Sequence, residues 1–202
     1  MILGQYNIPT GISILGLFLS FSSIILSFKS HFEIAIVCFM YSGLCDYFDG
    51  YIARRLDLTA KDKEFGTQID TLVDVVSFGV TPILFFLNDG LTELTDLLLF
   101  FIYLSATVIR LAHFSTHGMQ TSNKVKYFSG VPVTYAALIF PVVYIFKDVL
   151  QEGIFISFIR ITVCLMSLFF VIKTPIPKPS GIFYVIFPLL SVALSFYFLY
   201  IR

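Results

Sequence analysis

Residues 46–54 read DYFDGYIAR and close an apolar run that begins near residue 32, and residues 66–74, GTQIDTLVD, open the next one. Placed on a helix, Asp46, Asp49, Gly50, Ala53 and Arg54 fall at i, i+3, i+4, i+7 and i+8, a single face. Gly66, Asp70, Asp74 and Ser77 fall at i, i+4, i+8 and i+11 and share a face in the same way. The two segments therefore predict a pair of antiparallel helices joined by the polar connection RLDLTAKDKEF (55–65). Asp46 lies eight residues from Arg54, and Asp74 eight from Gly66. At a rise of about 1.5 Å per residue both carboxylates sit roughly 12 Å deep, with Arg54 and Gly66 at the mouth.

Working outward, the composition says what surrounds that hairpin. The chain has 202 residues, 57% hydrophobic and 13% charged, with a mean hydropathy of +0.90. A soluble domain of this length does not hide that much apolar surface. The expected fold class is all-α, a polytopic helical membrane protein. Runs suited to spanning a core of about 30 Å, which takes about 20 helical residues, cover 10–28, 32–56, 66–88, 93–115, 131–149, 153–173 and 181–201. Seven helices are expected; six or eight stay open, because Pro132 and Pro141 interrupt the fifth run and Arg160 lies inside the sixth. The first run has neither a basic n-region nor a small-residue cleavage site and reads as a retained helix.

Basic residues set the orientation. Arg54, Arg55, Lys61, Lys63, Arg110, Lys124, Lys126, Lys173 and Lys178 fall on one side, against Lys29, Lys147 and Arg202 on the other. The richer side, with the 55–65 connection, is expected to face the cytoplasm. A net charge of zero gives no electrostatic footprint for nucleic acid. Cys38, Cys45 and Cys164 all lie in apolar runs without metal-like or disulfide-like spacing, and read as apolar packing residues.

Four carboxylates at one depth in a membrane do not all ionise unaided, since desolvation and mutual repulsion both oppose it. Either some carry protons or cations neutralise them. Carboxylate oxygens suit hard divalent ions such as Mg²⁺ or Mn²⁺, and no His or Cys competes on these two faces. A pair of such ions can clamp a diphosphate for displacement at phosphorus. Gly50, Ala53 and Gly66 remove bulk where a flat group could approach the backbone, and Arg54 offers a charge suited to phosphate. Asp residues in helices also fit a cation or proton transporter, which would not need Ala53 and Gly66 to stay small.

DYFDGYIAR followed by GTQIDTLVD resembles the signature of the CDP-alcohol phosphotransferase family, D-x2-D-G-x2-A-R then G-x3-D-x3-D, at every named position. One departure is the connection between Arg54 and Gly66, eleven residues here and longer than the family pattern. The resemblance implies a single membrane domain over 1–202 and two divalent metals held by Asp46, Asp49, Asp70 and Asp74. It implies CDP-lipid contacts from Asp49, Gly50, Ala53, Arg54, Gly66 and Asp70, with Asp74 as general base. It also implies a homodimer in the cell membrane of a prokaryote.

VDVVSFGVTP (73–82), RLAHF (110–114) and YFSGVP (127–132) resemble elements of the bacterial and archaeal phosphatidylserine synthase branch of that family. The implied donor is CDP-diacylglycerol or an archaeal analogue, and the implied acceptor is L-serine. Arg110 is the first candidate for the serine carboxylate, with Lys124 and Lys126 as alternatives and Ser77 as a further contact. A phosphorylated acceptor, glycerol 3-phosphate or inositol phosphate, would demand a cluster of basic residues, and Arg110, Lys124 and Lys126 leave that open. His113 and His117, four apart, lack an acidic or thiol partner nearby and read as interfacial. NIPT (7–10) resembles the family's entry segment; Asn7 and Thr10 fit either nucleotide contact or helix capping.

Overall fold

A computed structural model describes residues 4–117, 120–122, 125–173, 175–177 and 183–201. Helix α1, Ile8–Phe28, starts where the Asn7 side chain accepts a hydrogen bond from the Thr10 amide at 3.0 Å, with Pro9 in the first turn. Its buried side is small and polar, Ser13, Gly16, Ser20, Ser23 and Ser27, while Phe18, Phe21 and Phe28 point outward. That is the reverse of a water-soluble helix. Small residues let backbones approach and large apolar ones meet lipid. The same inversion leaves Phe101 70% and Leu189 63% exposed.

Helix α2, Phe32–Ala53, runs through the middle of the molecule and packs on α1 and on the later helices α4 (Thr81–Asn88), α6 (Ala136–Tyr144) and α8 (Phe183–Phe196). Its closest crossing is with α6, where a Cβ built on Gly43 would lie 2.5 Å from that of Ala137. Helix α3, Ala60–Asp74, begins at a capping box in which Thr59 and Asp62 each satisfy the other's backbone amide at 3.2 Å. The second half of the 55–65 connection is therefore helix, six residues ahead of the expected start at 66.

Helix α3 continues without a break into a π-helical segment, Val75–Val80, and then α4. Pro82 has no amide proton to give the Phe78 carbonyl, and the Tyr103 hydroxyl donates to it instead at 2.7 Å. The Thr81 amide and hydroxyl both reach back to the Val76 carbonyl, a wider turn than an α-helix makes. The S-F-G-x-x-P element thus has a structural job: Gly79 lets this turn sit against Leu104 and Thr107 of α5, Leu94–His117.

Helix α7, Glu152–Val171, is clasped to α5 by Arg160, which donates to both oxygens of buried Asp96 at 2.6 and 3.0 Å and to Glu93 at 3.0 Å. The charge inside the sixth run is therefore paired within the chain. Helix α6 is flanked by 3₁₀ turns at Val133–Tyr135 and Ile145–Asp148, and α8 ends in a second π segment, Tyr197–Ile201. Seven helical rods among the described residues thus follow one another in the expected order. Among the described residues, four are long and apolar enough to cross a membrane (Ile8–Phe28, Ala60–Asn88, Leu94–Thr116 and Glu152–Val171), and Val185–Ile201 is a shorter apolar one. The core between them is aromatic, with edge-on pairs such as Phe86–Phe140 and Phe85–Tyr144.

Three short strands join the ends of the helices: β1 (Gln120–Ser122), β2 (Val125–Ser129) and β3 (Pro175–Pro177), antiparallel in that order. The sequence gives little sign of them, because two prolines make β3 look like a stiff connection; as an edge strand it tolerates them. Cys164 is exposed on α7, outside the core expected for it, and Cys38 and Cys45 are half-buried.

Candidate active site

The last turns of α2 carry Asp46 and Asp49, and the last turns of α3 carry Asp70 and Asp74. Oxygen atoms of Asp46, Asp49 and Asp70 all lie within 4.8 Å of one another. Asp74 stands beside this trio, against Asp46, with its Oδ1 buried and without a hydrogen-bond partner. Thr134 donates to Asp46 Oδ2 at 2.7 Å, and the Ser13 hydroxyl reaches Asp49 Oδ2. Lys147 pairs with Asp89, and Arg160 with Glu93 and Asp96, all away from the four carboxylates.

A cavity of about 420 Å³ opens over Asp46, Asp70 and Asp74. Among the described residues, Arg54 and Arg110 bring positive charge to it, and Phe114, Ile139, Ile186 and Phe187 are among the apolar residues of its wall. That size and mix, a few converging polar groups in a mostly apolar cleft, suit a small-molecule or lipid ligand.

The expected residues divide around this cavity. Gly50 and Arg54 line it, and a Cβ on Gly50 would meet the Arg54 guanidinium at 3.4 Å. Asp49, Ala53 and Gly66 are not part of its lining; around a Cβ on Gly66 there is open space. Arg55 points elsewhere, stacked on the Tyr51 ring at 4.2 Å. Arg110 is 95% buried: its Nε donates to the Val131 carbonyl at 3.1 Å and an Nη to that of Gly130 at 3.4 Å. Two of its five N–H groups are so used, leaving donors for a ligand.

Ser77 does not reach the cavity. The π segment widens the turn after Asp74 and breaks the α-helical register that placed Ser77 on the Asp70/Asp74 face, so its hydroxyl is buried without a hydrogen bond. Lys124 lies outside the described residues, as do the side chains of Lys126 and His117. Asn7 caps α1, and Thr10 is buried beside it. Ser13, Thr134 and Tyr47 join the site without having been expected. The small-residue face of α1 marks Ser13 as a packing position, and nothing in the sequence marks its carboxylate partner.

Fold and site together define a helical membrane protein with a carboxylate cluster at an apolar-walled cleft. Residues 6–172 match the family model described as CDP-alcohol phosphatidyltransferase, and the chain belongs to that family of transferases. It is 31% identical over 173 residues to a CDP-diacylglycerol–serine O-phosphatidyltransferase of Helicobacter pylori, covering 80% of this chain and 69% of that one. The Saccharomyces cerevisiae protein of the same name is 31% identical over 123 residues, 57% of this chain and 44% of the relative. An archaetidylserine synthase of Methanothermobacter thermautotrophicus is 27% identical over 135 residues, 65% and 54% of the two chains. The matched region thus spans about half the length of most of these relatives.

Proposed function

We propose that this chain transfers a phosphatidyl group from CDP-diacylglycerol, or its archaeal ether analogue, to the hydroxyl of L-serine, giving phosphatidylserine and CMP. The observation that carries this is the convergence of Asp46, Asp49 and Asp70 within 4.8 Å beside a cavity holding Arg54 and Arg110. The donor set is all carboxylate oxygen, and Asp74 Oδ1 is an unsatisfied buried acceptor next to it, so the residues fit hard divalent cations. Asp46, Asp49, Asp70 and Asp74 would hold two ions, Mg²⁺ or Mn²⁺. Such ions, when bound, neutralise the carboxylates and make the diphosphate phosphorus more electrophilic.

The remaining work falls to this chain's own groups. Gly50, Ala53 and Gly66 leave room for the nucleotide, and Arg54 pairs with the diphosphate. The apolar wall at Ile186 and Phe187 accommodates the acyl chains. Arg110 holds the serine carboxylate through its unused donors. Asp74 takes the proton from the serine hydroxyl as its oxygen forms the new bond to phosphorus and the bond to the CMP oxygen breaks. The active site faces the cytoplasm of a prokaryotic cell, 1–202 works as one domain, and the protein acts as a homodimer.

The test is purified protein with CDP-diacylglycerol and Mg²⁺ or Mn²⁺, offered serine, glycerol 3-phosphate or inositol phosphate, with CMP release followed. Release with serine is expected. Release only with a phosphorylated alcohol would overturn the serine assignment; no release with any acceptor would overturn the enzyme reading in favour of transport.

A further inference from the structure

We propose that Ser13 and Thr134 are positioning residues, a pair of hydroxyls that fix the α2 carboxylates in the orientation a divalent cation needs; this rests on the metal reading above. Serine and threonine in a helix commonly turn their hydroxyl back to the carbonyl one turn earlier. Ser22, Ser157, Ser167 and Ser191 do so here. Ser13 and Thr134 instead reach carboxylates 36 and 88 positions away in the chain. Ser13 has its own carbonyl within range, Pro9 O at 3.1 Å. Its hydroxyl thus spans both acceptors, the Pro9 carbonyl within its own helix and the Asp49 carboxylate of α2.

The two contacts come from different neighbours of α2. Ser13 approaches from α1, where Gly16 would place a Cβ 3.1 Å from that of Cys45 and so allows the helices to close. Thr134 approaches from the 3₁₀ turn ahead of α6, three residues before Ala137 as Asp46 is three after Gly43, the residues at the tightest crossing. Asp46 and Asp49 each have one oxygen, Oδ2, tied to a hydroxyl. Beside these hydroxyls, Asp46 meets Asp74 and Asp49 meets the Gly50 amide; a carboxylate has about four lone-pair sites, so each group keeps sites for a cation shared with Asp70. Outer contacts of this kind fix ligand orientation, and their loss typically costs 10- to 100-fold in metal affinity.

The experiment measures Mn²⁺ binding to the full-length protein in detergent, by the resonance signal of free Mn²⁺, with neither lipid nor nucleotide present. Thr134→Val keeps the shape of the side chain and removes the donor, Ser13→Ala removes one oxygen atom, and Thr134→Ser retains the hydroxyl. Thr134→Val and Ser13→Ala are expected to weaken Mn²⁺ binding about 10- to 100-fold while their metal-free thermal midpoints stay near that of the wild type; Thr134→Ser is expected to bind nearly as the wild type does. Wild-type affinity in both deletion variants would overturn the positioning role. So would equal loss in Thr134→Ser and Thr134→Val, which would make the position one of packing alone. Failure of the wild type itself to bind Mn²⁺ would instead remove the metal reading and this inference with it.

Discussion

Asp74 differs from the other three carboxylates in what holds it. Asp46 and Asp49 accept from hydroxyls, whereas Asp74 Oδ1 is buried with no donor. An acceptor without a hydrogen-bond partner, on a residue that lines the cavity, is suited to receive a proton or to share a cation. Asp74→Asn is expected to abolish CMP release while CDP-diacylglycerol binding stays measurable; near-normal turnover in that variant would remove Asp74 as the base. Arg110 carries the acceptor assignment. Arg110→Gln is expected to raise the KM for serine at least about tenfold, the effect of losing one charge-assisted hydrogen bond of ~1.5 kcal/mol or more. An unchanged KM would limit Arg110 to anchoring the carbonyls of Gly130 and Val131.

At the scale of elements, the site depends on how closely α2 meets its neighbours. Gly43 has no room for a side chain against Ala137, so Gly43→Ala should overpack the α2–α6 crossing and cost about 1–3 kcal/mol. Reversible unfolding in mixed detergent measures this, and Ala137→Gly in the same chain should recover most of the loss. Full stability in the single variant would mean that the helices separate easily. The α3–α4 rod gives a second example. Pro82 lies inside the 66–88 run, and the structure accommodates it with a π turn whose freed Phe78 carbonyl is satisfied from α5 by Tyr103. That one adjustment keeps α3 and α4 continuous and moves Ser77 off the cavity face.

The whole molecule gathers its apolar helices around a cluster of four carboxylates, and on the proposed reading that cluster couples stability to a cation. A cation that binds the folded state alone stabilises it by about 2.7 kcal/mol at a hundred times its Kd. Mn²⁺ is therefore expected to raise the thermal midpoint of the wild type and to leave Asp46→Asn and Asp70→Asn unmoved. A shift that persists in Asp70→Asn would place the ion elsewhere. Away from the site, the Arg160–Asp96 clasp between α5 and α7 satisfies a charge that the sequence leaves without a partner inside an apolar run.

The amino-acid sequence by itself determined the membrane class, the succession of helices and the two carboxylate faces. These follow from composition and from the 3.6-residue period, which are local and survive whatever the helices pack against. The start of α3 at Ala60, behind its Thr59 cap, differs from the expected start at 66, because the polar run 55–65 masks the spacing of Thr59 and Asp62. Tertiary structure alone decided that three of the carboxylates converge, that Asp74 stands against Asp46 with its Oδ1 unpartnered, and that Ser13 and Thr134 hold Asp49 and Asp46. It also decided that Arg110 is anchored by backbone carbonyls and that a small sheet joins the helix ends. Each of these depends on contacts between segments tens of residues apart, whose geometry is set by which small residues let the backbones close, Gly16 and Gly43 above all, and no period within one helix encodes it.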